Sequence, residues 1–464
     1  MTLSSTSTKL SATNTRNSLD KSFIENEFSK PSTSTQSTAE YLIQSVNKSN
    51  LHQLSPPLSN IRLWLLHRVL TGNKTVANFQ RLCGVKLAQS TEQKSVITPK
   101  HEKNHQIKQI NQQNNSHNKN NSNIHSIDEE DKIHYHTSSI QHYTITNPIL
   151  HVYFSFAAAM GNEMFYILFL PLLFWLIDCS LARRVILMWF FTYYTGQYLK
   201  DLLQLPRPSS PLVAKLETHY ETEYGFPSTH AMIALTLPAS ILYYTQSLYN
   251  FSLVTGLIFA FIWTFSIACS RLYNGVHSLA DVIGGLILGL LIIVPVLVYQ
   301  DIFDHWVISS STRFTTVTTI LSIAVILLSI YPRPKRWTIC YGDTTIIIGV
   351  ASGVFIGYGC NENVQHFQSL MDQISIHNET FKFLYYAVLR TIIGSLCMIT
   401  TRAVFKFLTM LILPPILLSS NKTEPNIRPD RIYLTEIPSK FVTYTAIGLA
   451  ASWFVPQLFQ IIGI

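Results

Sequence analysis

Charged and polar side chains are concentrated in three short stretches that border long apolar segments. These are "KDLLQLPRP" (200–208), "YGFPSTHAM" (224–232) and "SRLYNGVHSLADVIGG" (270–285). A charge at the centre of a bilayer costs about 3 kcal/mol on insertion scales, so charges retained beside membrane segments are candidates for function. Together the stretches supply cations, imidazoles, a hydroxyl and a carboxylate, which are suited to binding and transferring an anionic group.

The first stretch provides two cations beside a helix-breaking sequence. Lys200 and Arg207 are seven positions apart, about two helical turns, which predicts that they project in similar directions. Pro206 and Pro208 are expected to end the helix there. The alternative is that both cations only extend to the membrane surface from a helix end.

The second stretch places polar groups at the start of a predicted helix. Pro227 and Ser228 precede a helix that is expected to begin near Thr229. The unpaired N–H groups and positive dipole end of a first helical turn suit an anion such as phosphate. Ser228 could simply be an N-cap. An N-cap does not require His230, however, which titrates near neutral pH.

The third stretch joins two apolar segments. Arg271 ends the first, and His277 and Asp281 open the next, four positions apart and therefore on one helix face. A carboxylate bonded to one imidazole nitrogen fixes the tautomer and leaves the other nitrogen to attack, as for an oriented histidine nucleophile. A purely structural His–Asp pair is the alternative.

Apolar segments dominate the chain after about Tyr143, within a sequence of 464 residues, 47% hydrophobic residues and net charge +8. Because a crossing helix needs about 20 apolar residues, we predict eight to ten transmembrane helices and an all-α, polytopic membrane protein. Arg183 and Arg184 are assigned to a cytoplasmic loop, which places the three stretches at the opposite, lumenal or exterior side. The basic "YPRPKRW" (331–337) falls on that side as well and conflicts with this orientation.

This topology brings the three stretches into one layer, because two helices cross and return between the second and the third. Three cations and helix N–H groups would then form a cage for a tetrahedral phosphate or its trigonal-bipyramidal transition state. Two histidines could divide the roles of nucleophile and acid. The sequence has no carboxylate cluster of the kind that holds Mg²⁺ and no CxxC pair among its six cysteines, so we expect neither a metal nor a cofactor.

Composition predicts five regions. Residues 1–50 are rich in Ser, Thr and Asn and are expected to be disordered. Residues 51–90 form a helical segment, either amphipathic on the membrane surface or a short soluble element. Residues 91–142 are an Asn/Gln/His-rich linker, 143–300 a catalytic transmembrane core, and 301–464 further transmembrane helices.

The order K-x6-RP, PS-x-H and SR-x5-H-x3-D resembles the three-part signature of the type 2 phosphatidic acid phosphatase superfamily, which includes vanadium haloperoxidases. Within it, PSTH in place of PSGH, "GQYLKDLLQLPRP" and "FQRLCGV" are similar to the sphingosine-1-phosphate phosphatase branch. The resemblance covers about Gly161 to Pro295. It implies an acid phosphatase/vanadium haloperoxidase-like helical core and a multi-pass protein of the endoplasmic reticulum membrane, with its active site on the lumenal side.

The resemblance also implies a role for each matching residue. His277 attacks phosphorus to give a phosphohistidine, Asp281 orients His277, and His230 protonates the leaving alkoxide and then activates water. The phosphate oxygens are held by the remaining signature residues, namely Lys200, Arg207, Ser228, Arg271 and the N–H groups near Thr229. The implied partners are a lipid phosphate substrate and membrane lipids, not nucleic acid; the oligomeric state is left open.

Two alternatives follow from what the signature does not specify. It identifies the phosphate and not the tail, so phosphatidate, lysophosphatidate or a polyisoprenoid diphosphate are possible substrates of a related phosphatase. A transporter or membrane scaffold is the alternative from another functional class. Transport is expected to need charges distributed through the depth of the spans, whereas here they gather near one face.

Overall fold

The computed structural model describes residues 56–87, 143–210, 212–217, 220, 223–248, 252–309, 313–332, 339–359, 370, 379–418 and 428–464. The predicted tail (1–50) and linker (91–142) lie outside these residues. Contacts divide the chain into two compact units, the first ending at Leu70 and the second running from Thr71 to Ile464. The signature residues all belong to the second unit.

The described chain is almost entirely helical. In chain order the elements are α1 (Pro56–Leu82), β1 (Val85–Leu87), β2 (Tyr143–Ile145), α2 (Pro148–Gly161), α3 (Glu163–Leu172) with a π-helical turn (Leu173–Ile177), α4 (Cys179–Leu203), α5 (Thr229–Leu248), α6 (Leu253–Tyr273), α7 (Leu279–Ser309), α8 (Arg313–Ile330), α9 (Ile339–Gly359), α10 (Thr380–Leu418), α11 (Arg428–Leu449) with a second π-helical turn (Ala450–Phe454), and α12 (Val455–Ile462). β1 and β2 pair antiparallel, with Val85 opposite Ile145.

Six of the described helical segments are long and apolar enough to cross a membrane: α6, α7, α8, α9, α10 and the run through α11 and α12. The pair α2 and α3, bent by 60° at its break, gives a seventh if it is one span. Two further helices, α4 with 25 residues and α5 with 20, pack against them. The predicted all-α, multi-pass membrane fold is therefore confirmed.

Arg183 and Arg184 lie in the first turns of α4, so their assignment to a loop is wrong. Arg183 is buried and makes two 2.8 Å hydrogen bonds to the carboxylate of Asp304 on α7. Arg184 Nε donates to the same carboxylate at 2.9 Å and contacts Asp301. A fully hydrogen-bonded carboxylate partner is what allows these cations to stand within a helix end instead of a solvated loop.

Close packing of helix ends brings the three signature stretches together. A Cβ at Gly196 of α4 would lie 2.6 Å from Thr229 Cγ2, and one at Gly285 of α7 would lie 2.6 Å from the carbonyl oxygen of Ser228. Real Cβ atoms do not approach so closely, so glycine is needed at both positions. The start of α5 is thereby held directly against the end of α4 and the start of α7.

Candidate active site

Lys200 and Arg207 converge, but not through a shared helix. α4 ends at Leu203, and Gln204 turns the chain away in a left-handed conformation with φ 51°. Arg207 therefore extends from the loop between α4 and α5 (residues 204–228, the α4–α5 loop), and the predicted helical register between the two cations is wrong. Lys200 Nζ and Arg207 Nη2 nevertheless lie 3.0 and 3.1 Å from one oxygen, Glu223 Oε2.

The start of α5 contributes both a helix cap and a contact to the cations. Ser228 Oγ accepts a hydrogen bond from the backbone N–H of Ala231 at 3.4 Å, so Ser228 is an N-cap as in the simpler interpretation. Its own N–H donates to the carbonyl of Asp281 at 3.1 Å. Thr229 Oγ1 accepts from Lys200 Nζ at 3.3 Å, which gives the threonine hydroxyl a place beside the cage.

His277 is buried, and its Nε2 lies 3.3 Å from Arg207 Nη1. Because a guanidinium only donates, Nε2 is the unprotonated nitrogen of this contact and keeps the lone pair. Burial lowers the pKa of His277 well below its ordinary value, and the positive charges of Arg207 and Arg271 lower it further. The ring is therefore neutral and available as a nucleophile.

Asp281 lies next to His277 but is engaged elsewhere. Its Oδ2 is 3.8 Å from His277 Nδ1, beyond hydrogen-bond length. The same Oδ2 accepts from the Ser278 N–H at 2.6 Å, while the Asp281 N–H donates to Ser278 Oγ at 3.2 Å. Asp281 and Ser278 thus cap α7 reciprocally. The predicted His–Asp hydrogen bond is not formed here, and within the described residues neither His277 Nδ1 nor Asp281 Oδ1 has a hydrogen-bond partner.

His230 is oriented by residues outside the three stretches. Its Nε2 donates to Asn162 Oδ1 at 3.2 Å, and the Tyr220 hydroxyl donates to the same oxygen at 3.1 Å. Asn162 sits at the break between α2 and α3. Neither Asn162 nor Tyr220 was predicted as a site residue, because a single sequence offers no signal for them beyond a polar residue between two apolar segments.

Arg271 is fully buried, yet none of its guanidinium nitrogens makes a hydrogen bond within the described part of the chain. Its nearest charge is Glu217, with 3.2 Å between Nη2 and Oε2. The ring of Tyr220 lies beneath both arginines, 5.2 Å from Arg271 Cζ and 5.4 Å from Arg207 Cζ. Arg271 thus presents unsatisfied donors at the centre of the site, as a site for an anion would.

Glu217 and Glu223 were not predicted either, although both stand in the sequence between the first two stretches. Burial raises the pKa of Glu223, but the charges of Lys200 and Arg207 outweigh this effect and hold that pKa below its ordinary value. A carboxylate therefore binds the two cations that were predicted to bind phosphate. In this structure the anion held by Lys200 and Arg207 is the Glu223 carboxylate of the α4–α5 loop.

The arrangement provides cations to hold a phosphate and two imidazoles to move protons or attack. The structure joins Lys200 to Thr229 and Arg207 to His277 by direct contacts, and both His230 and Arg271 lie against the ring of Tyr220. Across the described residues, no group of three or more His, Cys, Asp and Glu side chains is placed to hold a metal ion.

Comparisons with known proteins also point to phosphate chemistry at this site. The family model of the PAP2 superfamily matches residues 181–305, which include every predicted site residue. The chain is 34% identical to sphingosine-1-phosphate phosphatase 2 of Homo sapiens, over 70% of this chain and 81% of that protein. It is 31% identical to sphingosine-1-phosphate phosphatase 1 of Mus musculus, over 69% and 74%, and 34% identical to lipid phosphate phosphatase delta of Arabidopsis thaliana, over 46% and 52%. No solved structure matches the chain significantly.

Proposed function

This chain belongs to the sphingosine-1-phosphate phosphatase family of the PAP2 superfamily, and from that premise we propose that it hydrolyses sphingosine 1-phosphate and related long-chain base phosphates to the free base and phosphate. It is a multi-pass membrane protein and a lipid phosphate phosphatase. The observation that carries the proposal is the convergence of Lys200 and Arg207 on one oxygen, 3.0 and 3.1 Å away, with His277 Nε2 in contact with Arg207.

In the first step His277 Nε2 attacks phosphorus and the bond from phosphorus to the ester oxygen breaks. The neutral ring and the unprotonated Nε2, whose lone pair now accepts from Arg207 Nη1, support this assignment. The three cations stabilise the additional charge on the equatorial oxygens of the transition state. Asp281 approaches His277 Nδ1 from its present 3.8 Å and stabilises the positive charge that the ring gains in the phosphohistidine.

His230 handles the proton in both steps. For this step His230 must be the imidazolium, protonated on both nitrogens once the phosphate dianion is bound. It transfers the proton on Nε2, which is now donated to Asn162, to the leaving alkoxide and becomes neutral. In the second step the same nitrogen takes a proton from water, the resulting hydroxide attacks phosphorus, and the bond from phosphorus to His277 breaks. Phosphate leaves, His277 returns to its neutral state and His230 is again the imidazolium with which the cycle began.

Neither step requires a metal in this mechanism, because Lys200, Arg207 and Arg271 supply the positive charge. We further propose that the protein resides in the endoplasmic reticulum membrane with the site on the lumenal side. The resemblance of the signature stretches to the sphingosine-1-phosphate phosphatase branch supports this location, and the three stretches lie together at one end of the helices.

The test is phosphate release from sphingosine 1-phosphate by the purified protein in detergent with EDTA present. We expect EDTA-resistant release, its loss in His277→Ala, and an acid-labile phosphoenzyme in the wild type. His305→Ala is the matched control, because His305 is an exposed histidine near the other end of α7. Unchanged release by a folded His277→Ala protein would end this assignment, and a panel of phosphatidate, lysophosphatidate and polyisoprenoid diphosphate would identify a different lipid substrate.

A further inference from the structure

The α4–α5 loop inserts two carboxylates among the cations of the site. Glu223 Oε2 contacts Lys200 and Arg207, and its side chain is only 6% exposed. Glu217 contacts Arg271 at 3.2 Å. Neither glutamate belongs to the signature stretches, and the mechanism above uses neither of them.

The charges of the site explain why two extra carboxylates matter. Lys200, Arg207 and Arg271, taken with the carboxylate of Asp281, leave two net positive charges, which match a phosphate dianion. Glu217 and Glu223 cancel both. A phosphate that brings no positive charge of its own would therefore enter a site in which these six described charges already sum to zero, and buried charge without a partner is strongly unfavourable.

The two glutamates differ in what happens to them when phosphate arrives. Glu217 keeps a 2.6 Å hydrogen bond from Asn274, and a quarter of its side chain is exposed to solvent. Glu223 is buried, and the two cations that hold it are those that the phosphate needs. Glu223 must therefore find a new positive partner within the site.

We infer that Glu223 is a specificity-determining residue that recognises a protonated amine beside the phosphate ester. Phosphate oxygens replace its carboxylate on Lys200 and Arg207, and the released carboxylate pairs with the ammonium group on the carbon next to the one that bears the phosphate. This inference rests on the proposed function and narrows it, because it selects long-chain base phosphates over amine-free lipid phosphates of the same length.

The experiment compares two lipids that differ in one group: dihydrosphingosine 1-phosphate and the analogue in which a hydroxyl replaces the amine. We expect the wild-type kcat/KM to be higher for the amine-bearing lipid than for the hydroxyl analogue. Glu223→Gln should reduce the ratio of these two kcat/KM values about tenfold or more, as for the loss of a hydrogen bond to a charged group. Asp301→Asn is the control. It removes an exposed carboxylate that lies on α7 about 30 Å from Asp281 at the site end of that helix, and is expected to leave kcat/KM for both lipids unchanged.

The ratio of kcat/KM for the two lipids distinguishes recognition of the amine by Glu223 from a purely structural role of this residue. If Glu223 only positioned Lys200 and Arg207, its replacement would slow both lipids equally, and an unchanged ratio would overturn the inference while the proposed function stood. If the wild type hydrolysed neither lipid, the proposed function would fail and the inference with it.

A second measurement needs no variant and so does not depend on whether Glu223→Gln folds. Phosphoethanolamine and ethyl phosphate are compared as soluble inhibitors of the wild-type protein. We expect the amine-bearing compound to inhibit at about tenfold lower concentration. Equal inhibition by the two compounds would contradict recognition of the amine at this site.

Discussion

The unsatisfied state of Arg271 predicts that this residue favours activity at the expense of stability. A buried donor left without a partner costs about 1–3 kcal/mol, and the three guanidinium nitrogens of Arg271 make no hydrogen bond to any residue that the structure describes. Its ion pair with the partly exposed Glu217 offsets at most about 1 kcal/mol of this. We therefore expect Arg271→Met, which retains an unbranched apolar stem, to unfold at the wild-type temperature or above it.

The same substitution is expected to reduce turnover by about 10²–10³, as for the loss of one oxyanion donor. Arg390 is the matched control, because it is equally buried but donates to the carbonyl oxygens of Trp175 at 2.8 Å and Ile464 at 3.0 Å. Arg390→Met should lower the unfolding temperature and leave the turnover of the folded fraction unchanged.

The assay is thermal unfolding in detergent with and without vanadate, together with phosphate release. Vanadate mimics the five-coordinate transition state, so it should inhibit and stabilise the wild type but not Arg271→Met. The reasoning would be refuted if Arg271→Met unfolded several degrees below the wild type, or if vanadate stabilised it as strongly. Either result would mean that Arg271 supports the fold and not a ligand.

Three further predictions follow. Lys200→Ala and Arg207→Ala should each reduce phosphate release by about 10²–10³; near-normal release would mean that these cations only border the membrane. Asn162→Ala should slow phosphoenzyme formation from alkyl phosphates about tenfold by misorienting His230, yet spare phosphoenzyme formation from p-nitrophenyl phosphate, whose leaving group needs no proton; equal slowing of this first step for both substrates would argue against this role. Because burial and then Arg207 lower the pKa of His277, the acid limb of kcat/KM should lie below about pH 6.5. Arg207→Gln should move this limb upward, and a pH–rate profile that does not move would count against His277 as the nucleophile.

The sequence was sufficient to predict the fold class and the cations of the site, because the signature stretches are contiguous and hydrophobicity marks the helices. It was insufficient where chain geometry intervenes. The left-handed Gln204 ends α4 before Arg207, and the carboxylate of Asp304 on α7 allows Arg183 to stand within a helix. The first is a local cap in which Gln204 contacts Lys200 and Asp201, and the second depends on a contact between segments distant in sequence.

The site residues that were not predicted lie outside any recognisable sequence motif. Asn162 reaches His230 across 68 positions, and Glu223 lies in a loop whose acidic residues resemble an ordinary solvated surface. Their roles come from burial beside other polar groups, which a single sequence does not reveal. The predicted His277–Asp281 bond illustrates the opposite case: the spacing places the two side chains side by side, but the oxygen nearest the imidazole accepts from the backbone N–H of Ser278 instead.

That double use of one side chain restricts how this position can change over evolutionary time. Asparagine at position 281 could still cap the first turn of α7 but would bring no negative charge to the imidazole. Glutamate would keep the charge, yet its longer stem would displace the carboxylate from the Ser278 N–H. Loss of activity on replacing Asp281 would therefore report two simultaneous defects, so descendants of this gene that retain Ser278 should also retain Asp281.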